Sequence, residues 1–364
     1  MENKLFEVDK NMVGAAFEKD DFVFYNIKNE PFDVYGLYEY KDHVPFMRMP
    51  SEVAEQCCPG AKALYKCPSG GRVRFKTDSP CIAIKLETSY WSIGINQQVL
   101  GSACPDLYVN KKYIAGFMPP RADVSADGGY ESIIELRDGR IREKLNDIII
   151  NMPLYNPVDE LYIGIKKGYR LEKGNEYKYK KPVLFYGSSI TQGGCSSHPG
   201  SCYPALISKY LDTDFINLGF SGGAHGEDPM VDYMTTLDVS MLVCDYDYNS
   251  VSAEAYRNTH EKLFKKMRAA KPELPVIFVT RPDFNNWDDI REAVERRNIA
   301  YTTYMNAINS GDKNVYFIDG DSLFGGLGHD ECTTDGCHPN DLGFWRMYEV
   351  IGRAVEMFLD KTTD

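Results

Sequence analysis

The sequence has little cysteine, histidine or tryptophan, and it contains no long apolar run. Ten cysteines among 364 residues are too dilute for a disulfide scaffold, and this usage fits a reducing compartment. No apolar stretch is long enough to span a bilayer, and the first ten residues are too charged for a signal peptide. If the numbered start is the native one, we therefore expect a cytoplasmic protein.

A block of like charges is also missing. The formal net charge is -12, from 53 acidic and 41 basic residues, and the acidic residues are scattered along the chain. Such an acidic balance argues against nucleic acid or an anionic membrane as the main partner. Because 364 residues are many for a single hydrophobic core, we expect two globular domains.

The first half alternates polar and apolar residues in short runs separated by turns. We predict strands at residues 72–77, 81–88, 106–109, 130–136, 147–150 and 160–165. No long amphipathic helix is predicted before about residue 175. Residues 1–175 are therefore predicted to form a β-sandwich, with a jelly roll as the expected form.

The second half, residues 176–364, alternates apolar strands with helices. Strands are predicted at 183–186, 215–218, 241–244, 276–280 and 315–318, and helices near 202–211, 229–236, 252–270, 287–309 and 341–359. This alternation predicts a doubly wound parallel sheet with helices on both faces. Right-handed crossovers then bring the loops that follow the strands to one edge. Those loops carry Ser189, Gly222, Asn249, Arg281 and His338.

The loop at residues 187–194 is rich in glycine and contains two serines. It lacks the Gly-x-Gly-x-x-Gly order of a dinucleotide site and the lysine of a phosphate loop. Its spacing also differs from the Gly-x-Ser-x-Gly elbow of α/β-hydrolases. A serine here can cap the next helix or act as a nucleophile. Asp335 and His338, just before the last helix, could supply the orienting acid and the base.

From about residue 181 the chain resembles the SGNH (GDSL-type) hydrolases, which carry four short blocks in fixed order. Residues 187–190 (Gly-Ser-Ser-Ile) resemble the Gly-Asp-Ser-Leu block, with Ser188 in place of the aspartate. Residues 217–222 resemble the second block. Residues 245–249 occupy the place of the third, without its Gly-Asn-Asp form. Residues 335–339 match the Asp-x-x-His block.

The resemblance implies a flavodoxin-like three-layer α/β/α domain that acts through a serine. It makes Ser189 the nucleophile, His338 the base and Asp335 the acid that orients the imidazole. It assigns the oxyanion hole to the backbone N–H groups of Ser189 and Gly222 and the side-chain amide of Asn249.

The first half is similar to the N-terminal domain of one SGNH branch, named for a Gly-x-Asp-Leu-Tyr motif. Residues 104–108 read Cys-Pro-Asp-Leu-Tyr, so a cysteine stands where the glycine is expected. Residues 151–156 and 161–165 support the same assignment. The resemblance therefore covers most of the chain.

Three other residues near the predicted edge are candidates for substrate binding. His225 follows Gly222, Tyr248 precedes Asn249, and Arg281 follows the fourth strand of the second half. Each is equally compatible with a packing role, and the sequence does not separate the two.

Potential metal ligands are few. Cys332, Cys337 and His338 lack a fourth ligand nearby in sequence, so we expect neither a metal nor a cofactor. Glu227 and Asp228 precede a predicted helix, and capping is the simpler prediction for them.

The predicted function is a serine esterase that removes small acyl groups, foremost acetyl, from carbohydrates or related hydroxyl compounds. The carbohydrate class rests on analogy between folds. An acyltransferase and a carbohydrate-binding protein that has lost catalysis are the alternatives. The expected partner is a small-molecule or oligosaccharide ester. The β domain could bind glycan, form one side of the active-site cleft or mediate dimerisation. A homo-oligomer is therefore one of the possible assemblies.

Overall fold

The computed structural model describes residues 17–119, 128–136, 145–282 and 290–361. The chain divides into two compact units. The first, called the β unit, contains the chain up to Arg48, Lys66–Glu176 and Ser197–Gly200; the second, the α/β unit, contains Met49–Tyr65, Tyr177–Ser196 and the chain from Ser201 onward. Each unit is assembled from separate stretches, whereas the sequence prediction divides the chain once, after residue 175.

The β unit contains two antiparallel sheets. Its strands are β1 Phe22–Asn26, β2 Asp33–Tyr35, β3 Arg72–Thr77, β4 Cys81–Glu87, β5 Asp106–Val109, β6 Lys112–Gly116, β7 Tyr130–Glu135, β8 Asn146–Asn151, β9 Glu160–Lys166 and β10 Leu171–Lys173. One sheet has the order β1-β9-β4-β7. The other has the order β10-β3-β8-β5-β6, with β2 paired to β3.

One apolar core is shared by strands of both sheets in the β unit. Ile84 of β4 pairs with Ile163 of β9 in the first sheet, and Phe75 of β3 pairs with Ile148 of β8 in the second. These four side chains are fully buried in the same cluster. Burying a side chain of this size stabilises the fold by about 1.5–3 kcal/mol. Two antiparallel sheets around one core confirm the predicted sandwich architecture.

The α/β unit is built on a five-stranded parallel sheet. Its strands are β11 Tyr179–Gly187, β12 Thr213–Gly219, β13 Met241–Asp245, β14 Val276–Val279 and β15 Val315–Ile318. Their order in the sheet is β12-β11-β13-β14-β15, and every neighbouring pair is parallel. All residues of β13 and β14 are buried, as expected where helices cover both faces of a sheet. The predicted fold class is confirmed.

Helices alternate with these strands along the chain. The α-helices of the described residues are α1 Ser51–Ala54, α2 Pro59–Leu64, α3 Val99–Ala103, α4 Ser189–Gln192, α5 Tyr203–Leu211, α6 Asp228–Thr236, α7 Ala253–Ala270, α8 Ile290–Asn309 and α9 Asp341–Lys361. Helix α3 belongs to the β unit and the others to the α/β unit. The start predicted for α8, at residue 287, lies outside the described residues. None of the described helices combines the length and the apolar character that crossing a bilayer requires.

The carboxyl ends of three strands lie side by side and position the candidate site. Gly187 of β11 pairs with Gly219 of β12 on one side and with Asp245 of β13 on the other. A Cβ at Gly187 would lie 2.1 Å from Thr191 Oγ1 and 2.3 Å from the Asp245 carbonyl oxygen. Only glycine fits this approach, so the residue at 187 allows the following turn to fold back onto β13.

Candidate active site

The two adjacent serines after β11 have different partners. Ser188 is the N-cap of α4, and its Oγ accepts a hydrogen bond from the Ile190 N–H at 3.1 Å. Ser189 Oγ lies 2.9 Å from His338 Nε2. The capping role that the sequence left open for a serine in this loop is therefore filled by Ser188. Ser188 caps the helix, and this leaves the Ser189 hydroxyl for the histidine.

Asp335 holds the other side of the His338 ring. Its Oδ2 lies 2.9 Å from His338 Nδ1, and its Oδ1 accepts the backbone N–H groups of Cys337 and His338 at 3.1 and 2.8 Å. Gly336 has a φ of +80°, and this left-handed residue lets the turn fold back on itself. Since a carboxylate only accepts, Nδ1 carries the proton and Nε2 faces Ser189 as an acceptor. This tautomer is inferred from the hydrogen-bond network.

The Asn249 side chain is hydrogen-bonded to the loop that contains Gly222, called the Gly222 loop. It lies in the single 3₁₀ turn Asp247–Asn249 that follows β13. Its Oδ1 accepts from the backbone N–H groups of Gly223 at 3.2 Å and Ala224 at 3.4 Å. Because the oxygen end faces the loop, the Nδ2 end is the donor that the side chain can offer elsewhere. Gly222 is exposed, with a φ of +64°.

Two amides behind this loop join the first and second sequence blocks, and sequence reasoning did not assign them a role. Asn217 Oδ1 accepts from the Gly219 N–H, and Asn217 Nδ2 donates to the Thr191 carbonyl oxygen, both at 2.8 Å. Gln192 Oε1 accepts from the Ser221 N–H at 2.9 Å. Both residues are fully buried. The signal in the sequence was an amide residue beside a glycine-rich turn. Once buried, such a side chain must hydrogen-bond to backbone groups.

Two buried carboxyl groups support the third block. Burial raises the pKa of Asp245 well above its usual value, and the neighbouring Asp247 adds to this shift. The hydroxyls of Thr191 and Tyr203 both donate to Asp245 Oδ2 at 3.2 Å. Burial also raises the pKa of Asp247, whose Oδ2 accepts from the Arg281 N–H at 3.0 Å. These contacts fix the end of β13 and the turn that carries Asn249.

Two of the three predicted substrate-binding residues, Arg281 and Tyr248, contact each other, and His225 contacts a different set of residues. The guanidinium of Arg281 stacks over the Tyr248 ring at 4.3 Å, and the Tyr248 hydroxyl donates to the Pro282 carbonyl oxygen at 3.2 Å. Both residues interact with Cys337, the residue before His338, so they are neighbours of the site; burial raises the pKa of the Cys337 thiol to about 11. His225 instead interacts with Cys58 and the Gly222 backbone.

The described residues contain two groups of three potential metal ligands each. One is Cys58, His225 and Glu227, and the other is Cys195, Asp335 and His338. Neither includes Cys332, whose thiol lies toward the Phe324 carbonyl oxygen. The cysteine and histidine set weighed from the sequence is therefore not assembled.

The capping prediction at the start of α6 is wrong for one of its two residues. Glu227 occupies the N-cap position, but its side chain makes no capping hydrogen bond because it turns toward Cys58. Asp228 lies in the first turn, where a negative charge is favourable, and pairs with Lys262 at 2.6 Å and Lys266 at 3.6 Å.

In the β unit, the aspartate of the Asp-Leu-Tyr motif is an anchor for backbone and side chains. Asp106 is fully buried. It accepts from Asn151 Nδ2 at 2.6 Å and from the Gly200 N–H at 2.7 Å, and its Oδ2 lies 2.6 Å from His198 Nδ1. The motif therefore ties residues 197–200 to strands β5 and β8.

Two family models together account for most of the chain. The model of the GDSL-like lipase/acylhydrolase family matches residues 180–356. The model of the GxDLY domain, described as the N-terminus of SGNH-hydrolase-type esterases, matches residues 22–171. The chain belongs to the SGNH (GDSL-type) hydrolases, in the branch with a GxDLY N-terminal domain. No curated protein matches this hydrolase.

Three solved structures share the architecture over nearly the whole chain. A Bacteroides ovatus protein described as GDSL-like is 25% identical with a TM-score of 0.80, and the match covers 93% of this chain and 98% of that protein. The salicylyl-acyltransferase SsfX3 from a tetracycline biosynthetic pathway is 18% identical (TM-score 0.73, 93% and 97% covered). The acetyl xylan esterase Est2A from Butyrivibrio proteoclasticus is 13% identical (TM-score 0.56, 93% and 99% covered). The last two show the fold alone.

Proposed function

We propose that this hydrolase is a serine esterase that removes small acyl groups, foremost acetyl, from carbohydrates or related hydroxyl compounds. The observation that carries the proposal is the continuous contact from Ser189 Oγ to His338 Nε2 and from His338 Nδ1 to Asp335 Oδ2, with both distances at 2.9 Å. A serine hydroxyl is a weak nucleophile until an adjacent imidazole removes its proton.

In the proposed mechanism, His338 takes the hydroxyl proton as Ser189 Oγ attacks the ester carbonyl carbon. Asp335 stabilises the resulting imidazolium, which then protonates the departing alcohol. This leaves the acyl group on Ser189. Water enters, His338 removes its proton, and the acid is released with Ser189 restored.

The developing oxyanion requires donors that are already in place. The Ser189 N–H is at the first turn of α4, where a helix leaves its N–H groups without intrahelical partners. The Gly222 N–H and Asn249 Nδ2 are the other proposed donors. Because Asn249 Oδ1 binds the Gly222 loop, one side chain both donates and positions a second donor. Each donor of this kind is worth about 2.7–4 kcal/mol of barrier.

The carbohydrate part of the proposal is supported by the overall architecture. Structures described as an acetyl xylan esterase and as a family two carbohydrate esterase share the fold over 93% and 80% of this chain. At 13% and 14% identity these proteins share the fold, so their substrates guide the choice of compounds to test. Incubation with a panel of acetylated oligosaccharides, followed by mass spectrometry, should reveal losses of one acetyl mass each. A panel left intact by an enzyme active on p-nitrophenyl acetate would reject the carbohydrate class and keep the esterase.

An acyltransferase is the second candidate, since the same acyl-enzyme can be captured by an alcohol. It is favoured by the likeness to the salicylyl-acyltransferase, which extends over 93% of this chain. Turnover in the presence of graded concentrations of an alcohol acceptor separates the two. An esterase releases free acid throughout, whereas a transferase shifts its product to the new ester as the acceptor concentration rises.

The first test of the mechanism is Ser189→Ala. We expect loss of p-nitrophenyl acetate turnover by at least about 10⁴-fold, because no other group on the proposed path can form the acyl-enzyme. Ser240→Ala is the matched control, as Ser240 lies before β13, at the opposite end of the sheet, and donates to the Pro182 carbonyl oxygen. Retained turnover in Ser189→Ala would reject the mechanism. Absence of any Ser189-dependent burst in the unmodified protein would favour the binding protein instead.

A further inference from the structure

A second cluster of chemically reactive side chains lies beside the Gly222 loop in the α/β unit. The ligand atoms of Cys58, His225 and Glu227 all lie within 4.8 Å of one another. Cys58 precedes α2, while His225 and Glu227 lie between the Gly222 loop and α6. None of these three residues has a role in the proposed esterase mechanism.

The arrangement differs from a catalytic triad with a cysteine nucleophile, although it contains a thiol, an imidazole and a carboxylate. In such a triad the acid binds the ring nitrogen that faces away from the nucleophile. Here Glu227 instead contacts the backbone and thiol of Cys58, and the imidazole interacts with the Cys58 thiol and the Gly222 backbone. The carboxylate and the ring therefore both converge on the sulfur.

Convergence on one point is what a metal ion requires of its ligands. Glu227 Oε2 is buried and has no hydrogen-bond partner among the described residues. Leaving such an oxygen unsatisfied is costly, and a bound cation would satisfy it. A thiolate, an imidazole and a carboxylate also form a typical ligand set for Zn²⁺, whose fourth position can be filled by water.

We propose that Cys58, His225 and Glu227 form a binding site for a zinc-like divalent transition metal next to the Gly222 loop. Tetrahedral Zn²⁺ with these ligands needs separations of about 3.3–3.6 Å between ligand atoms, which is compatible with a cluster whose ligand atoms all lie within 4.8 Å of one another. The thiol releases its proton as the sulfur–metal bond forms. The Gly222 backbone, which the imidazole already contacts, is the kind of outer partner that orients a metal-binding histidine.

The surrounding backbone is packed closely enough to hold the cluster in place. A Cβ at Gly60 would lie 2.9 Å from the Gly222 carbonyl oxygen, and one at Gly223 would lie 2.5 Å from the Ala61 nitrogen. The Cys58 thiol donates to the Gly223 carbonyl oxygen at 3.3 Å. The start of α2 and the Gly222 loop are therefore in direct backbone contact, which fixes the spacing of the three ligands.

The other group of potential ligands is a weaker candidate. In that group His338 already contacts Ser189 and Asp335 through its two ring nitrogens, and Asp335 Oδ1 already accepts two backbone N–H groups. A metal bound there would have to displace these contacts. The Cys58 cluster needs no such exchange at Glu227 Oε2.

The test is direct metal binding to the full chain after removal of metals with a chelator. We expect one equivalent of Zn²⁺ by calorimetry, and Co²⁺, used as an optical probe, should give a thiolate-to-cobalt charge-transfer band. Cys58→Ser and the nearly isosteric Glu227→Gln should each weaken Zn²⁺ binding by at least about tenfold. Cys57→Ser changes the adjacent cysteine, which is outside the cluster, and should bind as the unmodified chain does. Circular dichroism checks that each variant is folded.

Ser189→Ala should also bind one equivalent, so the measurement does not depend on turnover. Unchanged Zn²⁺ affinity in both Cys58→Ser and Glu227→Gln would overturn the proposal. So would absence of the cobalt band, or loss of binding in Cys195→Ser with retention in Cys58→Ser, which would place the metal at the other group.

Discussion

The α/β unit holds two clusters made from similar parts, and the position of the acid separates their chemistry. In the first, Asp335 lies against the His338 nitrogen that faces away from Ser189. In the second, Glu227 and His225 both face the sulfur of Cys58. An acid behind the ring makes the imidazole a base for the hydroxyl, whereas an acid beside the nucleophile makes three ligands for a shared ion. The geometry therefore separates the two proposed functions where residue types alone do not.

Asp335→Asn tests the position of the acid in the first cluster, and we expect it to have the largest effect on kcat among the variants compared below. An amide would present its NH₂ group to His338 Nδ1, so the ring proton would move to Nε2 and the imidazole could no longer accept from Ser189. We expect kcat to fall by about 10³–10⁴-fold. Steady-state kinetics on p-nitrophenyl acetate measures it. Asp228→Asn is the matched control, since this exposed acid pairs with Lys262 and Lys266; equal losses in both variants would contradict the assignment.

Substitutions of Asn249 test the role of the Gly222 loop, to which its side chain is hydrogen-bonded. Asn249→Ala removes the proposed amide donor and the acceptor for Gly223 and Ala224 together, and we expect kcat to fall by about 10²–10³-fold. Asn249→Asp keeps the acceptor and loses the donor. If Asp restores activity, the residue only positions the loop; if both variants are equally impaired, the lost donor accounts for the effect. The kcat and KM of each variant are the measurements.

Most of the elements that form the sheets follow from sequence patterns. Strands β3, β5 and β15 begin and end where predicted, and β11 to β14 were placed within a few residues, because apolar runs bounded by turn residues are a strong sequence signal for strands. Strands β1, β2, β6 and β10 were not predicted. All four have no buried residue or only one, so pairing with a neighbour, rather than their own pattern, makes them strands.

The two clusters differ in how far sequence could reveal them. Ser189, Asp335 and His338 stand in short motifs, and two of the three are three residues apart, so a local turn brings them together. Cys58 is 167 residues before His225 and belongs to a stretch, Met49–Tyr65, that joins the α/β unit from within the first half of the chain. Local sequence periodicity cannot predict that a stretch from the first half of the chain belongs to the α/β unit. Glu227 was misread for the same reason, because its cysteine partner is remote.

A third histidine, His260, is paired with no acidic side chain of the described residues, and burial alone determines its pKa. His260 is buried among aromatic rings, with its Nδ1 2.8 Å from Thr303 Oγ1, and burial lowers its pKa from 6.5 to about 3. Below pH 6.5 the unfolded chain takes up a proton that the folded chain does not. Stability should therefore fall with decreasing pH between these two values, approaching about 1.4 kcal/mol per pH unit.

His260→Gln removes this titration and keeps a polar partner for Thr303. Urea unfolding at pH 6.5 and pH 5.5 should show a smaller decrease in the variant than in the unmodified chain. Parallel decreases would mean that His260 is protonated in the folded protein as well.

The smallest effect concerns Ser188, whose neighbour Ser189 has the proposed chemical role. Ser188→Ala removes the N-cap of α4 and leaves the buried Ile190 N–H without its acceptor. We expect the free energy of unfolding to fall by about 1 kcal/mol, while Ser189 still reacts with a fluorophosphonate probe. Ser188→Asn, another favourable cap, should recover most of the loss.

Aspartate, which the family usually carries at this position, is also a strong N-cap residue, so the serine found here conserves the cap and not the charge. A Ser188→Ala protein that is fully stable but unreactive would reverse the division of roles between the two serines.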